Sequence, residues 1–509
     1  MVPVRVLLLS TYELGHQPLH LAAPAGALLR AGHEVRCCDL AVDPLDDAAV
    51  SWADAVACSV PMHTAMRLAR PALAAVRARR PDVPVCLYGL YANLDGAEGT
   101  TPVADLAVAG EYETPLVAWV GSLGSRGAPS SCGTPPAPHG SMVELGRHRG
   151  GLPARHLLPP LGRYARLVVE GEERLAGYVE ASHGCAHRCR HCPVPVVYDG
   201  RTRLVGEDVV VADVAQLVAL GARHVTFGDP DFLNGPHHAR RVLSAVHGAF
   251  PALTFDVTAK VEHVLRHRPL WPELAAAGCM FVVSAFESTS DRILGELDKG
   301  HRAVDAAEAV AVLRAAGIEP RPSLVPFTPW TTADDMAELL DFVARCDLVG
   351  NVDPIQYAIR LLVPPASLLV TSGRLSGRLS GYDAEHLGWS WTSPDPRLDA
   401  LHEELAAVAA DAEDGGWPAR RAYDAVCAAT ARRLALPSRC AAAGPVDGAL
   451  RSPLPEGSRP RLTEAWFCCA EPRGAHMGTE AASEFDSVSG LHVRQDDGGI
   501  ATPVATSGR

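Results

Sequence analysis

Residues 184–193 read Gly-Cys-Ala-His-Arg-Cys-Arg-His-Cys-Pro, which sets Cys185, Cys189 and Cys192 in a CxxxCxxC spacing. Three thiolates this close can wrap one corner of a cubane iron–sulfur cluster, which takes four cysteines when fully ligated. With no obvious local fourth, one iron stays open to a substrate or cofactor. The same residues admit a zinc site, because His183, His187 and His191 stand near enough to supply a fourth ligand. A second thiol pair, Cys468–Cys469, lies in the stretch Trp-Phe-Cys-Cys-Ala-Glu-Pro, residues 466–472. Such a pair can form a vicinal disulfide, though a strained one, donate a hydrogen atom or an electron, or ligate a soft metal.

These residues need a scaffold, and the bulk composition bounds it. The chain has 509 residues, 48% of them hydrophobic, enough for about three domains with sizeable cores. Its net charge of −13 argues against a nucleic-acid-binding surface. The opening apolar run is short and reads as a strand rather than a secretion signal. No stretch approaches the ~20 apolar residues of a membrane span. The expectation is a cytoplasmic protein whose fourteen cysteines are reduced thiols or metal ligands.

The fold class expected is α/β. In residues 1–122, apolar runs at 4–10, 35–40, 53–60, 85–89 and 106–109 alternate with helical stretches, the pattern of a Rossmann-like open parallel sheet. Ligands of such sheets bind beyond the carboxyl ends of the strands. Residues 123–170 are read as a flexible linker, because 124–141 are rich in Gly, Ser and Pro. Residues 171–370 repeat strand and helix in the manner of a partial (β/α)6 barrel, with its active site at the carboxyl ends of the strands. Residues 371–450 are expected to be a helical C-terminal region. Residues 451–509 are expected to be a tail that carries the Cys468–Cys469 pair and is mostly disordered by composition.

The expected carboxyl ends of the barrel strands hold Gly228-Asp229-Pro230-Asp231 and Glu287-Ser288, with Asp298-Lys299-Gly300 soon after. Arg321 lies on the next strand. With the cysteine triplet, these segments resemble the radical S-adenosylmethionine (radical SAM) superfamily. The resemblance implies a 4Fe–4S cluster on Cys185, Cys189 and Cys192, with S-adenosyl-L-methionine chelating the open iron. It further implies backbone contacts to the cofactor at Gly228 and Asp229, contacts from Glu287 and Ser288 to its ribose or amino-acid portion, and pairing of Arg321 with its carboxylate.

The first domain resembles the cobalamin-binding domain that precedes many radical SAM cores, with Gly110-Glu111-Tyr112-Glu113 like its closing turn. It lacks the DxHxxG motif, so cobalamin is a candidate further cofactor and not an implied one. The tail is similar to that of the CUAEP/CCAEP-tail radical SAM (seleno)protein family, in its cysteine form. Cys-Arg-His-Cys-Pro-Val-Pro-Val-Val-Tyr (189–198) and Gln-Tyr-Ala-Ile-Arg-Leu-Leu-Val-Pro (356–364) carry the same likeness. Interchange of selenocysteine and cysteine in that family implies a catalytic or redox role for Cys468 and Cys469.

The activity implied is reductive cleavage of S-adenosylmethionine to a 5′-deoxyadenosyl radical that acts on an unknown small-molecule or peptide substrate. Cobalamin would extend it to methyl transfer. An electron donor such as a ferredoxin or flavodoxin is implied as partner. The competing expectation is a non-catalytic iron–sulfur electron carrier or thiol redox sensor, which would need a fourth protein ligand.

Overall fold

A computed structural model describes residues 2–98, 100–124, 140–147, 150–436 and 447–464. The run Arg-Val-Leu-Leu-Leu-Ser forms β1 (Arg5–Ser10), buried from its second residue onward. A strand apolar on both faces needs cover on both, which parallel sheets with helical crossovers provide. β2 (Glu34–Asp39), β3 (Ala55–Ser59), β4 (Val85–Tyr88), β5 (Leu106–Gly110) and β6 (Gly140–Glu144) complete a six-stranded sheet in the order β2-β1-β3-β4-β5-β6, every pair parallel. The strand order reverses between β1 and β3, which opens a crevice beyond their carboxyl ends.

The second sheet begins with β7 (Arg166–Val169) and β8 (Glu172–Val179). β9 (Ser182–Gly184) and β10 (Thr202–Leu204) form a small antiparallel ladder beside it. β11 (His224–Phe227), β12 (Thr254–Thr258), β13 (Cys279–Glu287) and β14 (Glu319–Leu324) follow, each parallel to its predecessor in the order β8-β11-β12-β13-β14. Helices Glu207–Ala219, Pro236–Ala249, Ala303–Ala315 and Ala333–Arg345 alternate with these strands, and the two layers share one apolar core that includes Val225, Phe227, Val257, Val282 and Leu313. Where a sixth parallel strand was expected, Phe327 and Arg360 make a single parallel bridge.

β15 (Leu379–Asp383) and β16 (Gly388–Trp391) form a hairpin that the sequence reading did not contain. Its Leu387 packs in the core of the first sheet, and its carbonyl lies 3.2 Å from His63 Nε2. Helices Pro396–Asp414 and Ala419–Leu434 follow, in the region expected to be helical. β17 (Arg461–Leu462) adds to the barrel edge, antiparallel to β7.

Two expectations from composition change. Residues 150–170, assigned to the flexible linker, are packed, with Arg155, Leu161 and Tyr164 buried. Residues 447–464, assigned to the tail, are also tied down. Arg459 donates to Asp347 and to Asn351 Oδ1, and Ser452 Oγ donates to Glu319. Gly and Pro content marks a lack of regular structure, while ion pairs buried by distant partners decide whether a loop is held. The cysteines were expected to be reduced thiols or metal ligands; nine of the described ones are in no disulfide, and Cys427 departs from the expectation in being disulfide-bonded.

Arg155 holds the two sheets together. It is 1% exposed, donates to both oxygens of Asp213 at 2.9 and 2.8 Å, and reaches the Tyr178 carbonyl at 2.6 Å and Gln17 Oε1 at 3.3 Å. Removing one partner of a buried ion pair strands the other's charge, at a cost of about 3–5 kcal/mol. Arg155→Met is expected to lower unfolding free energy by about that amount in urea titrations. Pairing it with Asp213→Leu should recover part of the loss.

Candidate active site

The cysteine loop follows β8, and β9 turns it across the barrel mouth. Gly184 has a φ of +73°, and a Cβ there would lie 2.3 Å from the Arg201 carbonyl, so the turn requires glycine. Cys185 and Cys189 are buried and Cys192 is half-buried, and none of the three is in a disulfide. Cys192 N donates to the Cys189 carbonyl at 3.2 Å. Asn234 Oδ1 accepts from Ala186 N at 3.1 Å and from Cys185 Sγ at 3.7 Å. Burial, and after it the Asp231 carboxylate, pushes the Cys185 thiol up to about 11. A metal that binds here must displace that proton.

A buried ion pair braces the loop from the opposite side. Glu287 ends β13 with a φ of +59°. Its Oε1 accepts from Lys299 Nζ at 3.0 Å and lies 3.2 Å from Nε2 of His191, between the second and third cysteines. None of the three side chains is more than 5% exposed. Burial opposes the charge on Glu287, but Lys299 and then His191 hold its carboxyl down at about 2. Burial likewise opposes the Lys299 ammonium, and Glu287 followed by the Cys189 and Cys192 thiols keeps it well above the ordinary lysine range. The reading from sequence treated Glu287 and the Lys299 turn as separate features and missed His191 as their link. The histidine inside the triplet was the available signal.

The other expected site residues divide. Ser288 is buried, and its Oγ accepts from Ser290 N at 3.2 Å. Gly228 follows β11, where Tyr178 Oη donates to its carbonyl at 3.4 Å; a Cβ at Gly228 would fall 1.9 Å from that hydroxyl. Asp229 points back to the start of the cysteine segment, accepting from Ala181 N at 3.0 Å and from Ser182 Oγ, and burial pushes its carboxyl up to about 7. Arg321 is bound elsewhere, to Asp353 at 2.7 Å and the Pro460 carbonyl at 3.3 Å. Cys468 and Cys469 lie outside the described residues.

The carboxyl edge of the first sheet meets this loop. Glu111, just past β5, accepts from Tyr198 Oη at 2.9 Å and contacts His183 Nδ1 at 3.0 Å. His20 pairs with Glu13 at 3.0 Å and reaches Glu180 at 3.6 Å. His16 packs on Tyr178 with ring centroids 4.9 Å apart, and burial lowers its imidazole to about 4. Burial would also lower His20, but the Glu13 and Glu180 carboxylates outweigh it and raise it to about 9.

A raised histidine stabilises the fold fully below its unfolded value, about 6.5, and loses that contribution as pH climbs through the folded value. The urea stability of the intact chain should therefore fall between pH ~6.5 and ~9, by on the order of 3 kcal/mol more than that of His20→Asn. Equal pH slopes for the two proteins would refute this.

Residues 179–343 match the radical SAM superfamily, and residues 5–120 match the B12 binding domain. The chain is 24% identical over 227 residues to tRNA-2-methylthio-N(6)-dimethylallyladenosine synthase of Pseudoalteromonas atlantica, covering 41% of this chain and 46% of the relative. It is 25% identical over 226 residues to ribosomal protein uS12 methylthiotransferase RimO of Porphyromonas gingivalis, covering 40% and 50%. The chain thus spans about half the length of the curated relatives it matches. In fold it is similar to the cobalamin-dependent S-adenosylmethionine radical enzyme OxsB with aqua-cobalamin and S-adenosylmethionine bound. That superposition has a TM-score of 0.63 at 14% identity and covers 81% of this chain and 67% of OxsB. The radical S-adenosylmethionine methyltransferase TsrM from Kitasatospora setae gives a TM-score of 0.50 at 19% identity, covering 67% and 70%. No described helix is long and apolar enough to cross a membrane.

Proposed function

We propose that this union of a radical SAM domain and a B12-binding domain is an enzyme that modifies a small molecule or peptide by radical chemistry, with methyl transfer as the leading outcome. The observation that carries the reading is the triplet of largely buried cysteines outside any disulfide, braced by His191, Glu287 and Lys299 and facing the carboxyl edge of the first sheet. Cys185, Cys189 and Cys192 would hold a 4Fe–4S cluster, a donor set with one ligand too few for a closed carrier. When bound and reduced, such a cluster supplies an electron that cleaves S-adenosylmethionine to methionine and a 5′-deoxyadenosyl radical, and cobalamin supplies a methyl carrier.

The chain's own residues bind, orient and exclude water. Lys299 places positive charge beside Cys189 and Cys192. Glu287 keeps that charge in place and, with Ser288, offers acceptors to cofactor hydroxyls or its amino group. The Gly228 carbonyl offers another acceptor, and Asp229 acts through the loop start that it holds. Arg321 joins the site only by exchanging Asp353 for the cofactor carboxylate.

At the first sheet's edge the neutral His16 imidazole and Ser10 Oγ, which is buried and makes no hydrogen bond among the described residues, fit a corrin site. An electron donor such as a ferredoxin or flavodoxin, and a reducing, cytoplasmic setting, follow from this reading.

The sequence resemblance to the CCAEP-tail family is the ground for reading Cys468 and Cys469 as catalytic. In support, Tyr12 Oη in the loop after β1 donates to Glu464 Oε1 at 2.6 Å, so the chain is anchored at the carboxyl edge four residues before Cys468. Cys468→Ser and Cys469→Ser are expected to leave 5′-deoxyadenosine formation within about twofold and to abolish substrate modification, a loss confined to a later step.

The test of the function is anaerobic. The chain is reconstituted with iron and sulfide, reduced and given S-adenosylmethionine, and 5′-deoxyadenosine is quantified by chromatography. Formation of that product supports the proposal. Its absence from a fully loaded, reduced protein offered several reductants would favour the electron-carrier reading.

A further inference from the structure

Three buried or half-buried groups outside the cysteine triplet converge behind the loop. His187 lies between the first and second cysteines, Asp231 lies in the connection after β11, and His263 lies in the helix Val261–Arg266. One ligand atom from each falls within 4.8 Å of the others. His187 Nε2 is 3.2 Å from His263 Nε2, His263 Nδ1 is 2.8 Å from Asp231 Oδ2, and His187 Nε2 is 3.9 Å from the same oxygen.

The Asp231–His263 contact is the informative one. Despite the short separation, Asp231 Oδ2 and His263 Nδ1 each make no hydrogen bond among the described residues. The Asp231 side chain is 0% exposed and that of His263 is 6% exposed, so bulk solvent does not reach the Asp231 oxygen directly. A carboxylate oxygen in the interior that accepts no hydrogen bond is expensive, even beside an imidazole. The other oxygen of Asp231 already accepts from Leu233 N at 3.1 Å. Nearby Lys260 and Arg266 do not neutralise it, since both pair with Glu262. What the arrangement calls for is a cation among two imidazoles and one carboxylate.

We propose that His187, Asp231 and His263 bind a divalent transition-metal ion, zinc(II) by the character of the donors, distinct from the iron–sulfur site. Two imidazoles and a carboxylate suit zinc or iron(II) rather than magnesium or calcium, which take oxygen ligands. Ligands about 2.1 Å from a tetrahedral zinc stand about 3.4 Å apart, the scale of the separations here. His263 gives the ion one of its two ring nitrogens, and water completes the shell. The ion joins three segments at once: the cysteine loop, the connection after β11 and the helix Val261–Arg266. It also neutralises the buried Asp231 carboxylate. The site therefore fastens and charges one side of the cysteine loop, as Glu287 and Lys299 do the other.

The test uses the full chain with Cys185→Ser, Cys189→Ser and Cys192→Ser, so its outcome does not depend on the cluster. Cobalt(II) is titrated as the probe, with visible absorption as the readout. The expected result is one saturable equivalent with ligand-field bands of nitrogen and oxygen ligation and no thiolate-to-cobalt charge transfer. In that background, His187→Gln and His263→Gln each weaken cobalt binding about tenfold or more. His187 is half-buried on a loop, so its variant tests the site even if His263→Gln unfolds, and circular dichroism reports folding for both. Zinc(II) should raise the melting temperature of the triple-serine chain and not that of its His187→Gln derivative. No saturable uptake, uptake with thiolate charge transfer, or uptake unchanged in a folded His187→Gln chain overturns the proposal.

Discussion

Replacing any one of Cys185, Cys189 and Cys192 with Ala is expected to abolish cofactor cleavage. Iron after anaerobic reconstitution should fall from about four per chain toward zero, and 5′-deoxyadenosine should fall to background. The size of the effect follows from the donor count. With three ligands an iron corner stays open for substrate, whereas with two the cluster is lost or degraded. The variants should keep the fold, because removing the thiols adds no buried charge and each side chain is small. Unchanged melting together with lost iron would separate ligation from folding. A variant that retains four irons and full turnover would refute the assignment of its cysteine.

Lys299→Met is expected to give the second large effect, on stability and cluster together. Its ammonium is the main attraction that holds Glu287 ionised in the interior, with His191 behind it. Without it a buried carboxylate loses its counterion, at a cost of about 3–5 kcal/mol. The support under His191 and the cysteine loop loosens, and residues that orient ligands are typically worth about 10- to 100-fold in metal affinity. The measurements are urea unfolding and the rate of iron loss to a chelator. Glu287→Gln combined with Lys299→Met should be more stable than Lys299→Met alone, because no orphan charge remains.

The pH dependence has a fixed sign. A carboxyl depressed to about 2 stabilises the fold above its unfolded value, about 4.3, and loses that contribution as pH falls toward 2. Glu287→Gln should remove this acid-side slope. A double variant no more stable than Lys299→Met would show that the pair is not a coupled unit.

Much of this molecule is written in local order. The spacing of Cys185, Cys189 and Cys192 needs no tertiary contact to suggest a cluster with an open iron. Alternation of apolar strands with helical stretches suffices for two parallel sheets, because a strand buried on both faces has little room for polar residues. The partners of the polar groups were not legible in that way. His191 and Glu287 are 96 residues apart, His187 and His263 are 76 apart, and Arg155 meets Asp213 across 58. A charged side chain carries no periodicity that names its partner, and composition marked Arg155 and Arg459 as parts of loose segments. Packing decided both questions. Burial makes an unpaired charge costly, so the fold brings each buried ion to its counterion or to a site with the chemistry of a metal.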